Sequence, residues 1–234
     1  MFRDPRGGHN RKLVNENFFK TWSPNMAYVL GLILADGAVE DVRKSSRTCY
    51  FQITNTDNVL LNKVRKILSS NHKFQVRQPQ LIDFKGKKYM CSKVFYLRIG
   101  NKAMFQDLVN LGVTPRKSLR LNLPNVPEEL LRFLVRGYFD GDGCVNIYQP
   151  KNRKRPWTNV IFTSGCRQFL EKLKQKLEIL PKAHASKIYF NHRAYRLGYR
   201  NRQALAVLNF IYEELNLAPY MIRKHKIYQQ ALST

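Results

Sequence analysis

The chain is short of negative charge: 16 Asp and Glu stand against 41 Lys and Arg in 234 residues, a formal charge of +25. An excess of that size favours a polyanionic partner, most often a nucleic acid. A ribosome-associated or nucleic-acid-coating protein fits the same number, because charge implies binding and not chemistry. Cysteines are few. Cys49, Cys91, Cys144 and Cys166 stand far apart with no CxxC pair and no histidine at ligand spacing. That excludes a structural zinc knuckle and a disulfide scaffold, and reads as reduced thiols of an intracellular protein. There is no long apolar run either. The longest, from Met26 to Ala35, falls well short of the roughly 20 residues a membrane helix needs. Arg3, Arg6, Arg11 and Lys12 resemble an organelle leader, but Asp4, Glu16 and the lack of serine there argue against one. The expected location is a prokaryotic cytoplasm or nucleoid, or an organelle matrix. Apolar residues make up 44% of the chain, enough to bury a core.

What is present is present twice. Ala27 to Val39 reads AYVLGLILADGAV and Phe133 to Val145 reads FLVRGYFDGDGCV. Aligned on their Asp-Gly ends, Gly31 pairs with Gly137 and Asp36 with Asp142, 106 positions apart (142 − 36). The likeness continues downstream. Phe51 to Asn55 resembles Val160 to Ser164, and each β-rich run leads into an amphipathic helical pattern, Val59 to Leu68 and Phe169 to Leu177. Two strand-like stretches follow in each half, Phe74 to Asp83 with Lys88 to Ile99, and Lys182 to Phe190 with Ala194 to Arg200. A second helix comes next, Lys102 to Leu111 and Gln203 to Leu215. Both halves close on a basic segment after a proline, Pro115-Arg116-Lys117 and Pro219 to Lys224. Lys117 and Lys224 differ by 107 (224 − 117), almost the same offset. The pattern predicts an α+β protein of two pseudo-twofold αββαββα halves. The divisions are a basic N-terminal arm at 1–24, a first half at 25–122, a linker at 123–127 and a second half at 128–234. Duplex DNA is itself a twofold-symmetric partner.

Each motif reads as a helix ending at its Asp-Gly. Gly31 and Ala35, and in the second copy Gly137 and Gly141, lie four apart on one face. Such stripes let two helices approach closer than the usual 8–10 Å. The closing Gly37 and Gly143 predict left-handed helix caps. An aspartate at a helix C-terminus opposes the helix dipole, so a cation is expected nearby. Two helices crossing side by side would aim Asp36 and Asp142 at one spot, where like charges need a divalent metal or a proton to coexist. The bland reading is a pair of Asp-Gly turns ending buried helices.

Both segments resemble the LAGLIDADG motif, and the duplicated pattern, from about Asn25 to Tyr228, is similar to the single-chain, two-motif homing endonucleases. The resemblance implies motif helices at the interface between halves and a last motif acid, Asp36 and Asp142, that binds catalytic Mg²⁺, with Mn²⁺ a substitute. An earlier motif acid is Leu34 in the first copy and Asp140 in the second. Arg136, in place of a small residue, suggests that its side of the helix faces outward. The implied activity is site-specific cutting of both strands of a long pseudo-palindromic DNA by a monomer, promoting mobility of an intron or intein. A non-cutting relative, an RNA intron maturase or a DNA-binding regulator, is the alternative.

On that reading, phosphodiester hydrolysis needs an activated water and cover for the leaving oxygen, which metals supply. Mg²⁺ prefers hard oxygens, so the carbonyls of Ala35 and Gly141 are candidate extra ligands. Lys117 and Lys224 are assigned charge stabilisation or water positioning, with ordinary phosphate or surface lysines as the competing reading. Asn55 and Ser164 resemble the family's polar site-lining positions, or sit beside a helix N-cap supplied by Thr54 or Thr56. The binding face is expected on the strands, where polar residues alternate with apolar ones. In the first half it takes Gln52, Gln75, Arg77, Gln78 and Arg98. In the second it takes Asn146, Tyr148, Lys187, Tyr189, Asn191, Arg193, Arg196 and Arg200. Basic loops carrying Arg43, Lys44 and Arg47, then Lys85 and Lys87, then Arg153 and Arg155, would extend the grip.

Overall fold

The computed structural model describes residues 12–43, 48–84, 86–115, 117–151, 156–184 and 187–233. Lys44, Arg47, Lys85, Arg153 and Arg155 lie outside the described residues, as do Arg3, Asp4, Arg6, Arg11 and Arg116. The first motif is helix α1, Pro24–Asp36. Ser23 caps it, accepting the Met26 N–H at 3.1 Å, and Pro24 occupies the first turn, where no N–H is needed. Every residue from Met26 to Leu34 is buried, the mark of a helix enclosed on all sides. The second motif is α4, Leu131–Asp142, buried almost as completely.

α1 and α4 pack backbone to backbone. A Cβ placed on Gly31 would lie 2.0 Å from the Leu134 carbonyl oxygen, and one on Gly137 would lie 2.0 Å from that of Tyr28. Leu134 and Tyr28 are themselves related by the 106-residue offset, so the two contacts are one contact seen from both sides. Gly141 carries the stripe onward, since its Cβ would meet that of Ala35 at 2.4 Å. The final glycines behave differently from expectation. Gly37 (φ −100°, ψ 164°) and Gly143 (φ −88°, ψ 157°) are extended, not left-handed, and each begins a strand. A side chain is excluded there because it would strike the turn just finished, 2.6 Å from the Ile33 oxygen and 2.5 Å from that of Phe139.

Each helix turns straight into an antiparallel sheet. In the first half β1 (Gly37–Asp41), β2 (Cys49–Asn55), β3 (Gln75–Arg77) and β6 (Val94–Gly100) lie in the order β1-β2-β6-β3. Helices α2 (Asn58–Ile67) and α3 (Lys102–Asn110) cover its apolar side. In the second half β7 (Gly143–Tyr148), β8 (Trp157–Ser164), β9 (Tyr189–Asn191) and β10 (Ala194–Arg200) repeat that order as β7-β8-β10-β9. There α5 (Arg167–Leu177) and α6 (Arg202–Tyr212) take the covering role.

The halves differ in three places. β3 and β6 continue beyond the sheet as a two-stranded ribbon, β4 (Gln80–Phe84) with β5 (Lys87–Cys91), exposed on both faces. The pairing Arg77↔Val94 resumes as Gln80↔Cys91 with its register kept, so the two long strands expected from sequence are one hairpin interrupted at Gln78-Pro79. Pro79 has no N–H for the ladder. Among the described residues the second half shows no such extension; from Lys182 to Ile188 the described chain is turn and loop, and only Tyr189–Asn191 pairs. An additional helix, α7 (Ile222–Leu232), closes the second half, whereas the first ends in a single 3₁₀ turn, Lys117–Leu119. Finally, residues 12–23 do not stand free as an arm. Leu13 and Asn15 N–H groups bond Asn71 and Leu68 at the end of α2, and Phe19 packs edge-on against Phe51. Among the described residues no helix is long and apolar enough to cross a membrane.

The helix contact gives the first prediction. Gly31→Ala drives a methyl into a main-chain carbonyl that cannot swing aside, and costs about 3 kcal/mol, the upper part of the usual overpacking range. Gly137→Ala is expected to match it. Urea unfolding at 25 °C checks both, and an unchanged midpoint for either would contradict the backbone contact.

Candidate active site

Asp36 and Asp142 end α1 and α4, and the Asp36 carboxylate lies 3.1 Å from where a Gly141 side chain would begin. The two acids therefore face each other across the helix contact. Burial first, then repulsion from Asp142, pushes Asp36 up to about 6, against the opposing pull of Asn55, Lys224 and Lys117. Asp142 is the more open to solvent and is also raised by the packed protein around it, with both lysines pulling the other way. Asn55 holds Asp36 directly, its amide nitrogen donating to the carboxylate at 2.6 Å. Its amide oxygen accepts the Asp57 N–H at 2.9 Å, which fixes which end of the amide meets the acid. The cap of α2 is Asp57, accepting from Leu60 N–H at 3.0 Å, not Thr54 or Thr56.

The cations expected at the helix ends are Lys117 and Lys224, and neither is a surface lysine. They are 7% and 3% exposed. Lys117 donates to the carbonyls of Leu34 (2.7 Å) and Ala35 (3.3 Å), the last turn of α1. Lys224 donates to Phe139 (2.5 Å) and Asp140 (3.0 Å), in the last turn of α4, and to Gly143 (2.5 Å), the first residue of β7. Each ammonium meets the negative end of one motif helix and gives its last-turn carbonyls a charged donor. Burial lowers both, Lys224 to about 8.

The second half carries a polar cluster where the first carries leucines. Arg136 does not face outward; it is fully buried. Its guanidinium donates to the carbonyls of Ile211, Glu213 (2.5 Å) and Ala218 (3.2 Å), closing the C-terminal end of α6 and the turn beyond. Five fork-like donors against orphan carbonyls account for a buried charge that sequence alone places in solvent. One turn later the fully buried Asp140 accepts from Tyr28 hydroxyl (2.7 Å) and Met221 N–H (2.8 Å). Burial pushes Asp140 up to about 6 despite those donors. The counterparts of Arg136 and Asp140, by the 106-residue offset, are Leu30 and Leu34, both in the apolar core. The polar pair pins the chain from α6 to α7 and so sets Lys224 in place.

The pseudo-symmetry breaks again at Ser164. Its hydroxyl accepts the Cys166 N–H at 3.1 Å, so it serves its own turn, and among the described residues no hydrogen bond joins it to either acid as one joins Asn55 to Asp36. The strand residues sort by pairing. Gln52, Gln75, Arg77 and Arg98 share one outward face, with Tyr50, Thr54 and Tyr96 among them. Asn146, Tyr148, Tyr189, Asn191, Arg196 and Arg200 share the corresponding face of the second sheet. Lys187 and Arg193 are exposed at its edge. Gln78 lies in the kink, and Lys87 shares the ribbon face of Phe84, Ile82 and Tyr89, opposite to that of Lys88. Arg98 is held by Glu40 (2.7 Å) over the Tyr50 ring, and Arg43 by Asp41 (2.5 Å). The sequence reading missed Arg223, which lines a cavity of about 400 Å³ beside Asp36; its one signal was its place next to Lys224.

The donor set suits a hard divalent cation. Two carboxylates raise each other's cost of ionisation, and helix-end carbonyls surround them. Among the described residues no group of three or more His, Cys, Asp or Glu forms a closed metal cage. An ion here would keep most of its coordination for water or substrate oxygens, as Mg²⁺ does.

The sequence matches the LAGLIDADG-like domain family over residues 129–211. It is 30% identical over 124 residues to the DNA-directed RNA polymerase subunit Rpo1C of Methanocaldococcus jannaschii, covering 52% of this chain and 13% of that protein. It is 27% identical over 146 residues to the reverse gyrase of the same organism, covering 62% and 8%. The chain thus spans only a small part of these curated relatives. Among solved structures, the LAGLIDADG meganuclease I-AabMI bound to uncleaved DNA superposes with a TM-score of 0.54 at 14% identity, over 91% of this chain and 90% of that one. Mesophilic variants of the homing endonuclease I-DmoI give 0.55 at 15%, over 92% and 99%. The homing endonuclease I-WcaI bound to its DNA recognition sequence gives 0.54 at 16%, over 95% of each. The chain therefore contains a LAGLIDADG-like domain in its second half and has the fold of the LAGLIDADG homing endonucleases across both.

Proposed function

We propose that the protein is a site-specific, metal-dependent DNA endonuclease that cuts both strands of a long, imperfectly palindromic target. The observation that carries this reading is the acid pair. Asp36 and Asp142 end two helices in backbone contact, each beside a buried lysine, at the junction of two polar sheet faces. A purely structural pair of Asp-Gly turns has no reason to keep two carboxylates together at that electrostatic cost. A non-cutting regulator or maturase has no need of them either. One chain supplies both motif helices, so one copy completes the site and a monomer suffices. Promotion of intron or intein mobility belongs to the same reading.

Asp36 and Asp142 would hold Mg²⁺ or Mn²⁺, with the Ala35 and Gly141 carbonyls as further oxygen donors. Such an ion, when bound, activates water and offsets charge on the leaving oxygen. Asn55 fixes the Asp36 oxygen that faces it, so the carboxylate enters the reaction already oriented. Lys117 and Lys224 neutralise the two helix ends and hold the acids' backbone in place. The outward faces carry Arg, Gln, Asn and Tyr, donors suited to phosphates and base edges. Their residues differ between halves, as at Arg98 against Gly198, so the favoured target departs from perfect symmetry.

Asp36→Asn and Asp142→Asn are each expected to abolish double-strand cutting while DNA affinity stays within about threefold, given that these groups make no phosphate contact of their own. Gel-shift and cutting assays on the same duplex test this; lost binding with residual cutting would overturn the assignment. Ca²⁺ in place of Mg²⁺ should support binding with little cutting, whereas full cutting in chelator would remove metal from the mechanism. Because Asp36 titrates near 6, protons compete with the metal below that pH. Lowering the pH from about 7 to about 5 should raise the Mg²⁺ needed for half-maximal cutting about tenfold. A requirement independent of pH would show that ionised Asp36 does not hold the ion.

A further inference from the structure

Resting on the endonuclease reading, we propose that Arg223, carried on the second half's terminal helix, binds the scissile phosphate on the first half's side of the site, beside Asp36. The cavity of about 400 Å³ there is lined by Asp36, Thr54, Asn55 and Arg77 from the first half, and from the second by Asp140 and Gly141 of α4 and Arg223 of α7. Two guanidiniums from opposite halves thus face one pocket that already holds two acids, an amide and threonine hydroxyls.

Neither guanidinium is paired with a carboxylate among the described residues. Four other arginines are ion-paired: Arg98 with Glu40, Arg43 with Asp41, Arg132 with Glu213 and Glu214, Arg167 with Glu171. Arg77 and Arg223 thus bring two forked donors without a carboxylate partner to the pocket beside Asp36. A phosphodiester matches them, offering two non-bridging oxygens to a forked donor and one negative charge. Arg223 is also held where it can act. Met221, two residues earlier, is tied through its N–H to the buried Asp140. Lys224, the next residue, is anchored in three carbonyls at the end of α4. Tyr220 lies under Lys63 of α2, 5.1 Å from ring centre to ammonium, so this stretch of the second half already touches the first. The exposed Arg223 side chain projects from an anchored backbone into a pocket that both halves line.

The probe is a duplex recovered by passing a randomised library over the full chain with Mg²⁺ and keeping what it cuts. Single neutral methylphosphonates then replace each of the two scissile phosphates in turn, and affinity is measured in Ca²⁺. For the wild type, each replacement should weaken binding about tenfold, the loss of one charge-assisted contact. In Arg223→Gln the penalty at one scissile phosphate should shrink to about twofold while the other keeps its full value, and Arg223→Lys should restore part of the difference. With Mg²⁺, Arg223→Gln should slow one strand about tenfold more than the other, so nicked duplex accumulates. Undiminished penalties at both phosphates, or equal shrinkage at both, would overturn the proposal, since a general loosening of α7 cannot choose one strand. A library that yields no cut duplex removes the endonuclease reading itself, and this proposal with it.

Discussion

The interaction on which the rest depends is the contact between two stretches of main chain, α1 at Gly31 and α4 at Gly137. With no side chain between them, the helices meet at a separation that no larger residue permits. Everything downstream is a consequence of that closeness. Helices that touch along their length also end together, so Asp36 and Asp142 are brought to one point. Two acids at two helix C-termini suffer both mutual repulsion and the unfavourable end of each dipole. The structure answers with one buried ammonium per helix end. Lys117 and Lys224 serve the backbone carbonyls first, and the carboxylates only through the field they create.

Much of this was legible in the sequence, and the reasons differ from residue to residue. The repeat offset identified the paired glycines and acids because symmetry forces equivalent positions to do equivalent work. Strand faces followed from alternation, which has only two outcomes per residue. Arg136 was misread because nothing local distinguishes a buried arginine from a solvated one. Its partners, the carbonyls of Ile211, Glu213 and Ala218, lie some 75 to 82 residues away and are backbone, with no sequence signature. The same holds for the lysines, whose acceptors are also main-chain oxygens. Gly37 and Gly143 were correctly singled out for the wrong cause: a steric limit set by the preceding turn, not a left-handed φ. Ser164 was expected to copy Asn55, but a hydroxyl is too short to serve both a backbone N–H and an acid beyond it.

Symmetry in this molecule is therefore strict in the backbone contact of the two motif helices and relaxed in the side chains and elements around it. The glycines agree to the atom. The lysines agree in role but are delivered by a 3₁₀ turn in one half and a full helix in the other. The sheets agree in strand order and differ in outward residues, and the ribbon β4–β5 has no counterpart among the described residues.

The Tyr28–Asp140 hydrogen bond makes the two halves non-interchangeable. Tyr28 belongs to the first motif helix, and its counterpart in the second is Leu134. Two copies of the second half, docked on the same axis, would each turn a buried carboxylate toward a leucine, leaving Asp140 without its phenolic donor. Two copies of the first half would instead place a tyrosine hydroxyl against Leu34. Each half has become a lock cut for the other's key, so any chimaera assembled from halves of different origin must carry position 28 and position 140 as a single unit of exchange.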